Sequence, residues 1–196
     1  LSGNLYGTGI LKGPLAKTQV SKRWMPHGDD WVPITLEKLT PYCEFVPVWD
    51  VYPDMSVNNP KDVRGIFQRY TMNRHEVYKL SKRDDFNGEL IVQYLKSHPQ
   101  GDAEVKTHEQ QLKTLNEKEH GSSNISRMGK YELKEFWGYL SADELRTQGL
   151  DIDENKYGLE IAANVWMLGP LIIKAVISPI EGVDLPYHFY YYDKDD

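Results

Sequence analysis

Cysteine is almost missing from this chain of 196 residues: Cys43 stands alone, so no internal disulfide can form, which suits a reducing compartment or indifference to redox state. Long apolar runs are missing as well. No stretch approaches the ~18 apolar residues of a membrane span, and no charged start leads into an apolar signal core. A surplus of positive charge is the third absence. With 23 basic against 29 acidic residues the net charge is −6, which argues against a surface that grips nucleic acid by neutralising phosphates. What is abundant is core material. Hydrophobic residues make up 40% and aromatics 12%, ample for one large or two small packed domains.

The chain is organised around its last third. Lys130 to Tyr139 alternates with period two, placing Tyr131, Leu133, Glu135 and Trp137 on one side, as a half-buried strand requires. Leu159 to Leu168 and Leu171 to Ile177 flank Gly169-Pro170 and are expected to pair as a hairpin. Tyr187 to Tyr192 is so aromatic that it calls for the face of an existing sheet. Ser141 to Glu144 forms a capping box, opening a short helix that Gly149 ends.

Earlier in the chain the signals are shorter. Leu5 to Val20, punctuated by Gly7, Gly9 and Gly13, reads as a strand pair entered through a turn; Ser21 to Pro33 reads as a loop tip or hairpin turn. Glu44 to Tyr52 alternates but contains Pro47, which makes it an edge strand or extended segment. Asn59-Pro60 would open a helix of a turn or two. Ile66 to Met72 reads as strand, followed by a capping box at Asn73 to Glu76, and Asn87 to His98 carries helical spacing closed by Pro99-Gln100-Gly101. Residues 102–130 form a polar excursion, with a short helix expected near His108 to Glu117. The fold class is therefore α+β, a mixed, mainly antiparallel sheet with several short helices. Opening on Leu1 and stopping at Asp196 directly after a strand, the chain reads as an excised segment.

Each candidate for chemistry has a plainer reading. Gly7-Thr8-Gly9 with Gly13 lacks the Gly-Lys-Ser or Gly-Lys-Thr and the helix of a phosphate loop, so a turn is the reading. His27, Asp29 and Asp30 lack ligand spacing and read as a solvated turn. Asp54, Glu132 and Lys134 resemble the carboxylates and lysine of a metal-dependent nuclease, but short Glu-x-Lys triplets are common. The histidines His27, His75, His98, His108, His120 and His188 show no shared spacing, and Cys43 has no base beside it. Arg64, Arg69, Arg74, Lys79, Lys82 and Arg83 are diluted by Asp62, Glu76, Asp84 and Asp85 into a mixed solvated face. No catalytic, cofactor-binding or metal-ligating residue is assigned.

Four segments, in order, resemble the portal proteins, or head-tail connectors, of tailed double-stranded DNA phages. They are Leu5 to Leu15 (LYGTGILKGPL), Pro47 to Met72, Lys130 to Gly149, and Asn164 to Val176 with its continuation LPYHFYYY. The resemblance implies a non-enzymatic structural subunit needing no cofactor. In that family subunits form a ring, usually of twelve, at one capsid vertex in the virion, after assembly in the host cytoplasm. Double-stranded DNA passes through without tight binding, and the partners are capsid, terminase and tail or adaptor proteins, with no membrane. Residues 1–196 resemble the peripheral wing region of a longer chain. The alternatives are a metal-dependent phosphodiester hydrolase built on Asp54, Glu132 and Lys134, or another virion adaptor.

Overall fold

The computed structural model describes residues 7–28, 30–57, 62–103, 129–152, 158–180, 183 and 185–191. The chain divides into two compact units, Leu1–Trp49 with Leu185–Asp196, and Asp50–Asp184. The α+β class holds: among the described residues there are two sheets, antiparallel in every pairing, and three short α-helices.

The first unit is a ribbon. Strand β1 (Thr8–His27) pairs along its whole length with β2 (Asp30–Val46), and a short β8 (Tyr187–Tyr191) adds to the base of β1 opposite Thr8 to Lys12. The expected loop over Ser21 to Pro33 is far narrower than its composition suggests. His27 pairs directly with Asp30, and Gly28 takes a left-handed φ of 66° that suits a two-residue hairpin tip. Of the strand pair expected over Leu5 to Val20, Thr8 to Val20 is instead part of one continuous strand. Its glycine and proline are taken up by a bulge, where register shifts between Lys12 and Leu15 and the Gly13 N–H bonds Pro186 O at 2.9 Å. A side chain at Gly13 would collide with Cys43 Sγ and Tyr42 O, at 2.7 and 2.9 Å from its Cβ.

The second unit is a five-stranded sheet in the order β3-β4-β5-β6-β7, built from Val51–Pro53, Gly65–Asn73, Lys130–Ser141, Glu160–Leu168 and Leu171–Ile177. The Gly169-Pro170 hairpin forms as its composition demands, with Gly169 at φ 56°. Helices α1 (Arg74–Leu80) and α2 (Gly88–Ser97) cover one face. Val77, Phe86, Ile91, Tyr94 and Leu95 pack there on Tyr131, Leu133, Leu168 and Ile173. Helix α3 (Ala142–Thr147) covers the other face, where Ala142, Leu145 and Ile152 meet Ile161 and Ala163.

The helix starts follow from their caps. The Asn73 N–H donates to the Glu76 carboxylate at 2.7 Å, the Leu90 N–H donates to Asn87 Oδ1 at 3.2 Å, and the Ser141 N–H donates to Glu144 at 2.8 Å. Two expectations change. Glu44 to Tyr52 is divided among the end of β2, a 3-10 turn over Val48–Asp50 and the edge strand β3. The aromatic run at Tyr187, expected on the face of an existing sheet, instead adds to the edge of β1 as a third strand. The helices expected at Asn59-Pro60 and His108 to Glu117 lie outside the described residues.

Candidate functional site

The residues singled out for chemistry are placed apart. Gly7, Thr8 and Gly9 lead into β1, and no helix follows them to present a phosphate site. His27 and Asp30 face one another at the ribbon tip, while Asp29 lies outside the described residues. Asp54 sits at the end of β3, its carboxylate accepting the Ser56 N–H at 2.9 Å and its own N–H donating to Gly65 O at 3.0 Å. Glu132 lies opposite Thr71 and Lys134 opposite Arg69, four to six residues further along β4. At ~3.3 Å per residue that is about 13–20 Å along the strand, beyond the reach of a shared metal. The nuclease constellation does not assemble, and among the described residues no group of three His, Cys, Asp or Glu could hold a metal ion.

Three of the six residues of the basic stretch, Arg64, Arg69 and Arg83, stand in ion pairs. Arg69, buried, gives Nε and Nη2 to Asp50 Oδ1 at 2.9 and 2.7 Å, and lies 3.9 Å from Glu132, which in turn is 3.7 Å from Lys134. Arg64 pairs with Glu160, and Arg83 with Asp85 at 2.8 Å. Lys174 also reaches Asp85, at 2.7 Å. Burial alone would raise the Asp85 pKa, but hydrogen bonds and charge from Lys174 and Arg83 outweigh it and hold the carboxyl below its ordinary value.

One polar constellation escaped sequence reading. Glu135, 3% exposed, points into the core side of β5 at a position the period-two pattern marks as buried. Its carboxylate accepts from Tyr70 Oη at 2.7 Å, Trp137 Nε1 at 2.6 Å and Asn164 Nδ2 at 2.9 Å, and Asn164 Oδ1 accepts from Trp166 Nε1 at 3.2 Å. These partners come from β4, β5 and β6. The signal was available as a glutamate on the apolar side of an aromatic strand, but it names no partner. With three neutral donors converging on it, this carboxylate pins strand register and is spoken for as a base.

Two open grooves flank the sheet. One, of about 500 Å³, lies between α1 and α2 and is lined by Arg74, His75, Tyr78, Val92, Leu95 and Lys96. The other, of about 410 Å³, lies between α3 and the sheet over Phe67, Phe136, Leu140, Val165 and Met167. Neither gathers a nucleophile with a base.

The strongest functional feature is the ribbon itself. From Leu15 to His27 it extends over 13 paired positions, about 40 Å at ~3.3 Å per residue. Large apolar side chains stand in solvent along it. Residues alternate faces, and the register sets Val20, Trp24, Trp31, Leu39 and Phe45 on one face at 56–67% exposure. Met25, Val32, Leu36 and Tyr42 share the other at 37–51%. Sequence reading took the segment between the two tryptophans as a loop tip or hairpin turn; the turn is there at Gly28, but the paired strands run up to His27 and on from Asp30, and so this surface was missed. Cys43 is exposed on the Trp24 face, and no described group activates it.

Among the described residues no helix is long and apolar enough to cross a membrane. No protein-family model matches the chain, and no curated protein matches it.

Proposed function

We propose that this chain is the wing region of a phage portal subunit, a non-enzymatic component of the ring through which the genome is packaged and ejected. The observation that carries the reading is the exposed ribbon: a two-stranded hairpin is at best marginally stable alone in water, and one bearing large apolar side chains on both faces is built to be covered by protein. The order of the portal-like segments supports it. They fall in turn on the start of β1, on β3 with β4, on β5 with α3, and on the β6-β7 hairpin followed by β8. On this reading the neighbours are further copies in a ring, likewise capsid, terminase and tail or adaptor proteins, and DNA slides past an acidic chain without being gripped.

The test is the native mass of the intact gene product at moderate salt, with negative-stain imaging of the main peak. Rings with a central hole are the expected result. A monomer at every concentration and salt overturns the ring reading and favours an adaptor of the virion.

A further inference from the structure

The ribbon's edges and its faces carry opposite instructions. Proline has no N–H to give, so within a paired strand it must turn its nitrogen to the open edge. Pro33 and Pro41 have the same parity, so the odd residues of β2 from Trp31 to Pro41 direct their backbone outward, and the two prolines interrupt that edge. Pro26 does the same near the tip of β1. Addition of a further strand is therefore obstructed along the β2 edge and at the tip of β1, as edge-protected strands require. The faces have no such guard.

Three aromatic rings of the Trp24 face, each able to bury roughly 150–250 Å², are more than half exposed, and with Val20 and Leu39 they offer on the order of 500 Å² of apolar surface. The Met25 face offers roughly 300 Å², so one contact of a Trp24 face with a Met25 face would draw on roughly 800 Å² of apolar surface from the two copies together. A standard complex buries about 1,600 Å² in all, a little over half of it apolar, so the two faces together match the apolar share of one such contact. The division of that area is the informative part. A ribbon made for one isologous partner would need a single apolar face and a polar back. Here both faces are apolar, so each copy has a surface for two neighbours.

Charge follows the same logic. The Met25 face carries Lys17, Arg23 and Lys38, with Asp30 its only acid distal to the bulge; the Trp24 face carries Glu37 and Lys22. Stacked face to back without offset, Glu37 of one copy lies level with Lys38 of the next, and the long stem of Lys22 can carry its ammonium to the edge, away from Arg23.

We propose that the ribbon is a two-sided assembly blade, the Trp24 face of one copy packing on the Met25 face of a second copy, head to tail. The stacking rests on the ring reading only for its closure.

Two paired substitutions in the intact gene product test it. Trp24→Lys with Leu39→Lys charges one face, and Met25→Lys with Leu36→Lys charges the other. Each variant alone is expected to lose assembly, with self-association weakened at least tenfold. An equimolar mixture is expected to give a dimer and nothing larger, because each variant retains the face the other has lost. Circular dichroism and normal assembly of the Trp24→Phe, Leu39→Met variant separate lost contact from lost fold. Rings that persist in both charged variants overturn the blade and leave the portal reading standing. Loss in the Trp24-face variant alone, with no rescue on mixing, also overturns it, in favour of isologous pairing. Open, variant-sensitive chains that never close sustain the blade and remove the portal reading; a wild-type monomer removes both.

Discussion

Compare the central strand β5 with β1, each long and paired along its length. In β5 the odd residues Tyr131, Leu133, Glu135 and Trp137 are buried, because helices and neighbouring strands close over the sheet. In β1 beyond the bulge nearly every residue is exposed. Strand-length segments carrying large apolar residues occur in both places, and such a segment reports that a face will be covered and not by which chain. The five-stranded unit buries its apolar surface within itself; the ribbon leaves its own in solvent.

If that contrast is sound, truncations should be severe in one unit and mild in the other. Leu133→Ala, which empties a fully buried site between α1, α2 and β5, is expected to cost about 2–5 kcal/mol and to lower the melting temperature sharply in a thermal scan. Next comes Glu135→Ala. It strands three buried or half-buried donors and is expected to cost about 3 kcal/mol by urea titration, with Glu135→Gln milder because an amide oxygen can still accept. Gly169→Ala strains a left-handed φ of 56° and drives a Cβ into the Tyr94 hydroxyl; about 1–2 kcal/mol is the expected loss. Smallest of these should be Leu39→Ala on the ribbon, within about 0.5 kcal/mol for the unassembled chain. A loss of several kcal/mol there would mean the ribbon is covered within its own chain, and the comparison would collapse.

Titration sharpens the same contrast, because the shifted carboxyls described here that belong to packing all lie in the five-stranded unit. Asp85 is held below its ordinary value by Lys174 and Arg83, and Glu144 by the Ser141 N–H and hydroxyl. Depressed pKa values mean stability that is present above the unfolded value near 4 and lost as pH falls through the folded one. Tyr94 has the reverse sign. Burial and the hydrogen bond it donates to Asp102, at 2.5 Å, raise its pKa. Its contribution is complete below the unfolded value near 10 and declines as pH rises beyond it. Denaturant midpoints measured from pH 2 to 5 and from pH 9 to 12 should fall at both extremes, with Asp85→Asn flattening the acid limb and Tyr94→Phe the alkaline one.

Much of the sheet unit was legible because its instructions are local. The Asn73-Glu76 and Ser141-Glu144 boxes, the Gly169-Pro170 turn and the alternation in β5 each act within a few residues, and all appear as read. In the ribbon the hairpin turn within Ser21 to Pro33 was legible and its narrowness was not, because glycine, proline, histidine and aspartate crowd that segment and imitate a wider loop. Only two of those residues are needed at the tip; the prolines serve the edges. Glu135 was visible as a residue and illegible as a site, since its partners Tyr70 and Asn164 arrive from strands far away in the chain. The Asp54, Glu132 and Lys134 trio failed for the converse reason, a plausible set of residue types that strand register keeps apart.

The pairing of β8 with β1 makes the ribbon unit discontinuous, with the five-stranded unit inserted between its two pieces. During synthesis the sheet unit can complete its own contacts as soon as β7 leaves the ribosome, while the open edge of Thr8 to Lys12 waits for Tyr187 to Tyr191 to be made. Bringing those segments together has an entropic cost, and β8 is made after every described strand of the sheet unit. Maturation of the ribbon base is therefore timed by translation itself: a nascent chain stalled before Tyr187 would display a finished sheet beside an unfinished ribbon, exposed to whatever chaperone or neighbour meets it first.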